Sequence, residues 1–204
     1  MSSVITPSKT WGTSHLAWQA VASAAQAIGT SISVATARAI AFDIRLARTT
    51  GTAFTAGWPN VRIEAQNKSG GLWTPIYTYQ PQVGASIANT TFNGAISAGA
   101  TSCVVAANTN IAAGDILFLS HTTLTANYEL VRVKSVSGTT ITFEEACLFA
   151  HDTGAQITDQ AEMAAPSFDV TTYSAVRAVV DNVGSGQGIA VQVLYTTYDS
   201  DSAT

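Results

Sequence analysis

The groups in this 204-residue chain that could transfer a proton, attack a carbon or hold a metal are three histidines, two cysteines and thirteen carboxylates. An enzyme must bring such groups to one point, and here they are scattered along the sequence. His121 and His151 share a stretch with Glu144, Glu145 and Asp152. No pair among them has the i, i+4 or other short spacing that marks a metal site, so both histidines are expected on loop surfaces, with no metal or cofactor. Cys103 and Cys147 are far apart and lack redox or zinc spacing, and are read as reduced, partly buried thiols. Glu144 and Glu145 would point to opposite faces if their stretch is a strand, and then could not act on one bond together. No Gly-x-Ser-x-Gly elbow occurs. The chain is therefore expected not to be an enzyme.

Two other motifs invite chemistry and lose it in context. Gly184, Gly186 and Gly188 look like a phosphate loop, but no Lys-Ser/Thr follows, and the next segment reads as a strand instead of a helix whose N-terminus could hold phosphate. Asn67-Lys68-Ser69 and Asn89-Thr90-Thr91 match glycosylation sequons, which matter only in a secreted protein. The start of the chain lacks a basic stretch followed by an apolar one, so synthesis in a cytosol is expected.

Recognition residues are a better lead. Lys9, Trp11, His15 and Trp18 lie in a polar N-terminal arm, and a tryptophan in such an arm is a common anchor for a partner's pocket. Residues 1 to 18 are thus a candidate interface, against the plainer reading of tryptophans that cap their own fold. Trp58, Trp73, Tyr77 and Tyr79 could offer stacking faces to a sugar, although alternating aromatics in one strand more often build a core.

Composition narrows the field. Only 11% of residues are charged while 47% are hydrophobic, so the chain has ample material for a core and is not disordered. Sparse Lys and Arg and a net charge of −4 argue against nucleic-acid binding. No run approaches the roughly 18 apolar residues of a membrane span. The exterior must hold many small neutral residues, which suits a protein packed among neighbours. Residues 1 to 85 are net basic and the rest net acidic, which favours head-to-tail contacts between copies or docking on an oppositely charged lattice.

The elements that would position these groups read as strands. Ile40, Phe42, Ile44 and Leu46 alternate with Asp43, Arg45 and Ala47, the period of a half-buried strand. Val61 to Ala65 and Trp73 to Tyr79 flank Asn67-Lys68-Ser69-Gly70-Gly71 as a hairpin. Ala175 to Val180 and Ile189 to Tyr195 read as a second hairpin. Ser14 to Ile28 fits a helix nearly as well as an extended segment, and the sheet beginning directly after it favours the extended form. From 86 to 163, glycines punctuate short strands at Thr101 to Ala106, Asp115 to Ser120, Glu129 to Val136 and Thr140 to Glu144, with a tight turn at Ser137-Gly138. This middle part reads as a small β module inserted into a sandwich built from 1–85 and 164–204.

Asn93-Gly94-Ala95-Ile96-Ser97-Ala98-Gly99, Ala113-Gly114-Asp115, Val136-Ser137-Gly138-Thr139-Thr140-Ile141 and Phe149-Ala150-His151 together resemble the small β modules of tailed-bacteriophage virion proteins. The flanking strands, ending in Ile189 to Ser200, resemble the jelly-roll-like antiparallel β-sandwich of phage capsid decoration proteins. The resemblance implies a non-enzymatic virion structural protein, first a capsid cement protein on the outside of the head. Its partners would be the major capsid protein or neighbouring virion proteins and further copies of itself, a trimer by capsid geometry. A neck or tail protein, or a host-attachment or carbohydrate-binding module, is the alternative.

Overall fold

Residues 9–55, 57–82, 84–182 and 184–199 are described in a computed structural model, with the side chains of 9–12 excepted. The fold is all-β. Six strands come first: β1 (Lys9–Val21), β2 (Gln26–Ile28), β3 (Ile32–Ser33), β4 (Ala37–Arg48), β5 (Asn60–Gln66) and β6 (Thr74–Tyr79). The middle holds β7 (Asn89–Thr91), β8 (Ser102–Val104), β9 (Ile116–Leu119), β10 (Glu129–Ser137), β11 (Thr140–Phe143) and β12 (Gln156–Thr158). Last come β13 (Glu162–Ala164), β14 (Ser167–Asp169), β15 (Ala175–Asp181) and β16 (Ile189–Asp199). The segment open to helix or strand is extended, as β1 and β2. No helix among the described residues is long and apolar enough to cross a membrane.

Two antiparallel sheets face each other. One runs β1-β16-β4-β13, with β14 also on β4; the other runs β2-β15-β5-β6, with β3 also on β15. Counting β2 with β3 and β13 with β14 as single interrupted strands, the first sheet holds the first, eighth, third and sixth strands, and the second sheet the rest. That interleaving is a jelly roll. The alternation in β4 explains why the sheets close on one another. Ile40, Phe42, Ile44 and Leu46 all point inward, and Leu46 and Ile44 sit opposite Val191 and Val193 of β16. Facing them, β5 and β15 pair Val61 with Val180, Ile63 with Ala178 and Ala65 with Val176 in the same core. Pro75 lies on the edge strand β6, where a residue without an N–H blunts the edge against foreign strands.

The expected hairpin of Ala175 to Val180 with Ile189 to Tyr195 does not form. β15 pairs with β2, β3 and β5, whereas β16 pairs with β1 and β4 in the other sheet. The connection through 182–188 therefore crosses the sandwich, and buried Asn182 organises it. Its amide nitrogen donates to the carbonyls of Val21 and Gln187, both at 2.8 Å, and its oxygen accepts from the Ser185 hydroxyl. Thr55 N–H donates to Ser185 O at 3.0 Å, Gly186 N–H to Ser23 Oγ at 3.1 Å and Phe54 N–H to Gly84 O at 3.1 Å. Four loops are thus knitted together at one end of the jelly roll.

The middle strands form a sheet of their own, in the order β7-β12-β9-β10-β11-β8. Phe92 bridges Val105, Asn93 N–H donates to Val104 O at 2.8 Å and Ala106 N–H to Thr91 O at 2.9 Å. These contacts join the two outermost strands, so the sheet closes into a six-stranded barrel and exposes no free edge. The turn at Ser137-Gly138 joins β10 to β11, with Gly138 at φ 59°, a conformation that favours glycine. Phe92, Leu117, Leu119, Val133, Ile141 and Phe143 fill the interior.

The barrel lies against the outer face of the first sheet. Ala190 stands opposite Ala47, and these small side chains leave room over the sheet. Trp18, Phe118 and Tyr128 fill it, with Trp18 and Phe118 ring centres 5.6 Å apart and Phe118 edge-on to Tyr128 at 5.1 Å. Thr158 Oγ1 donates to Arg48 O at 2.8 Å and Ile87 N–H to Gly51 O at 2.9 Å, fixing the two connecting segments.

Candidate functional site

The N-terminal candidates lie on β1. Lys9 pairs through its backbone with Tyr198, and Trp11 follows at a register irregularity between Thr10 and Thr13. The side chains of both, and residues 1–8 entirely, lie outside the described residues. Trp18 is turned into its own chain, where it holds the barrel against the sandwich. His15 is half-buried among Phe42 and Tyr195, both edge-on to its ring. Its Nε2 accepts Ala178 N–H at 2.9 Å, so the imidazole is neutral with its hydrogen on Nδ1. Gly29 makes room for the ring, since a Cβ there would lie 2.1 Å from His15 Nε2.

Burial lowers the His15 pKa from 6.5 to about 4. In this window the unfolded chain binds a proton that the native ring refuses. The His15 contribution to native stability is therefore complete above pH 6.5 and is lost as the pH drops toward about 4. A full shift of this size would be about 3 kcal/mol, and partial solvent contact reduces it to on the order of 1–2 kcal/mol. His15→Gln, which keeps an acceptor but does not titrate, is expected to flatten that part of the stability profile. Urea midpoints at pH 7 and pH 4.5 check this; equal slopes in both proteins would refute it.

A second constellation was missed in the sequence. His151, expected on a loop surface, is 1% exposed. Its Nδ1 lies 2.7 Å from Ser120 O and its Nε2 2.7 Å from Glu129 Oε1. A carbonyl only accepts, so Nδ1 carries a hydrogen, and one further proton is shared between Nε2 and the carboxylate. Glu129 also accepts Leu148 N–H at 2.8 Å and Phe149 N–H at 3.3 Å, which fixes the turn that follows Cys147. Phe92 stacks on the His151 ring at 5.3 Å, and a backbone bridge to Ile96 anchors the residue. The ligand atoms of Glu129, Cys147 and His151 all lie within 4.8 Å of one another. Burial, then the Glu129 charge, push the Cys147 thiol up to about 12. Both cysteines are free and are fully buried, where partial burial was expected.

A cleft of about 320 Å³ adjoins this cluster, and Glu129 forms part of its wall. Glu144 and Glu145 correct a second expectation. They lie beyond the end of β11, in a bend, so strand alternation does not separate them and both line the cleft. Arg132 pairs with Glu144 at 3.6 Å, half-exposed on both sides. His121 serves its own turn, with Nδ1 accepting Thr123 and Leu124 N–H, both at 3.2 Å, beside Asp152 at 3.3 Å.

The four aromatics that could stack on a sugar do not share one open face. Tyr77 packs on Phe168 at 5.8 Å, and the Tyr79 hydroxyl donates to Glu162. Trp73 lies under the Arg177 guanidinium at 4.3 Å, and Trp58 rests on Phe54 at 5.8 Å.

No known protein family and no curated protein matches the sequence. Among solved structures, the chain is similar to the tailspike protein gp49 from Pseudomonas phage LKA1, at 25% identity over 36% of this chain and 14% of that one, with a TM-score of 0.32. It is similar to the gp54 tailspike of Acinetobacter baumannii bacteriophage AP22 at 22% identity over 37% and 15%, with a TM-score of 0.30. The SPBc2 prophage-derived protein YomS aligns over 98% of this chain and 100% of that one, at 10% identity and a TM-score of 0.35. The chain thus spans about one seventh of the two tailspikes. Similarity at this level assigns no residue a role.

Proposed function

We propose that this chain is a non-enzymatic structural protein of a tailed-phage virion, a cement protein that binds the outer surface of the head and stabilises it. The observation that carries the reading is the architecture: a jelly roll bearing a closed barrel between its fifth and sixth strands, the barrel being the segment whose sequence resembles phage virion modules. A barrel docked by a buried aromatic cluster suits a mechanical part. Leu72, at the tip of the β5–β6 turn, is 90% exposed, and Leu148 and Met163 are exposed beside one cleft. Such side chains suit contacts with a shell or with further copies of the chain.

Quantitative mass spectrometry of purified virions tests this through the copy ratio to the major shell protein. The expected result is a ratio near unity or a simple fraction of it, as closed symmetry on a shell requires. A handful of copies per particle would place the protein at the neck or tail, where host attachment becomes its role. Absence from virions would overturn the reading.

A further inference from the structure

We propose that Glu129, Cys147 and His151 form a binding site for one transition-metal ion, zinc by chemistry. The three residues come from the start of β10, from the segment after β11 and from the bridge to Ile96, and their ligand atoms converge within 4.8 Å. Thiolate, imidazole and carboxylate together are the donor set of zinc; calcium and magnesium take oxygen ligands. The surroundings are those of a metal ligand. His151 Nδ1–H is held by Ser120 O at 2.7 Å, which leaves Nε2 to face Glu129. Such a carbonyl partner is the usual outer support of a metal-bound histidine. Glu129 is held in turn by two backbone N–H groups, and Phe92 fixes the imidazole plane.

The alternative, a purely structural pair, explains less. A buried ion pair is often no more stabilising than apolar side chains of similar volume, and the buried Cys147 thiol adds nothing to it. Metal binding gives all three a task. The ion replaces the proton shared by Glu129 and His151 and displaces the thiol proton, both passing to solvent, and three protein ligands leave a fourth position open. The adjoining cleft, on whose wall Glu129 lies, is lined by Glu144 and Glu145 together with Arg45 and Arg132, and gives the site an approach from solvent.

Cobalt(II) added to the full chain carrying Cys103→Ser, in which Cys147 is the remaining thiol, tests the site. The expected result is about one cobalt per chain with a thiolate-to-metal charge-transfer band. Adding His151→Gln should remove the band and weaken binding by at least about 100-fold. Zinc at a hundredfold excess over its Kd should raise the melting temperature of the wild type by several degrees. Cobalt that does not bind, or binds without the thiolate band, overturns the proposal, and so does a band that survives His151→Gln. The readouts need no virion, so the site can fail while the cement reading stands, and the reverse.

Discussion

Trp18→Ala will cost this protein about 3–5 kcal/mol and split its unfolding into two transitions. Trp18 is 6% exposed, and its ring fills the space above Ala47 and Ala190 while touching Phe118 and Tyr128 of the barrel. Truncation opens a cavity at the aromatic cluster that spans barrel and sandwich among the described residues, and neither side can collapse into it without bending a sheet. The sandwich core and the barrel core are separate clusters, so each retains its own packing once the link is weakened. Calorimetry and urea titration followed by near-UV circular dichroism check this. Phe118→Ala should behave alike, and the double variant should lose about 1–2 kcal/mol less than the sum, because the two rings share one contact. An unchanged midpoint with a single sharp transition would show that the barrel is held elsewhere.

Arg48→Leu should lose about 3 kcal/mol, with the damage confined to the loop end of the jelly roll. Arg48 is 5% exposed at the end of β4. Its Nη1 donates to Thr52 O at 3.1 Å and Ala85 O at 2.5 Å, and the guanidinium lies 4.4 Å above the Phe54 ring. Leucine matches the apolar stem but supplies no donor, so two carbonyls lose their charged partner. The loop after β4 and the chain leaving for the barrel would then part. Arg38→Ala, at an exposed position, should change stability by less than about 0.5 kcal/mol. Limited proteolysis should cut Arg48→Leu first within 49–55 or 84–88, and equal resistance in variant and wild type would refute the clamp.

Local signals carried most of the element reading. The alternation from Ile40 to Leu46 and the turns at Asn67–Gly71 and Ser137–Gly138 are written in neighbouring residues, and the observed strands follow them. The candidate chemistry was less readable. Glu129, Cys147 and His151 are far apart in the chain, and no short spacing announces them. A hint lay in Glu129 itself: it opens an alternating run on the same face as Val131 and Val133, where a charged side chain needs a buried partner.

What the sequence determined alone is the all-β class, the period-two faces and the tight turns, since each depends on residues only a few positions apart. Tertiary structure decided the rest. Ala175 to Val180 and Ile189 to Tyr195 have the same alternation whether they pair with each other or in opposite sheets, and long-range pairing with β5 and β4 chose the second. A tryptophan in an N-terminal segment can meet a partner or its own chain, and the alanine-lined surface beneath Phe118 settled where Trp18 goes. Periodicity names the face a side chain occupies, but only closure of barrel and sandwich determines what that face meets.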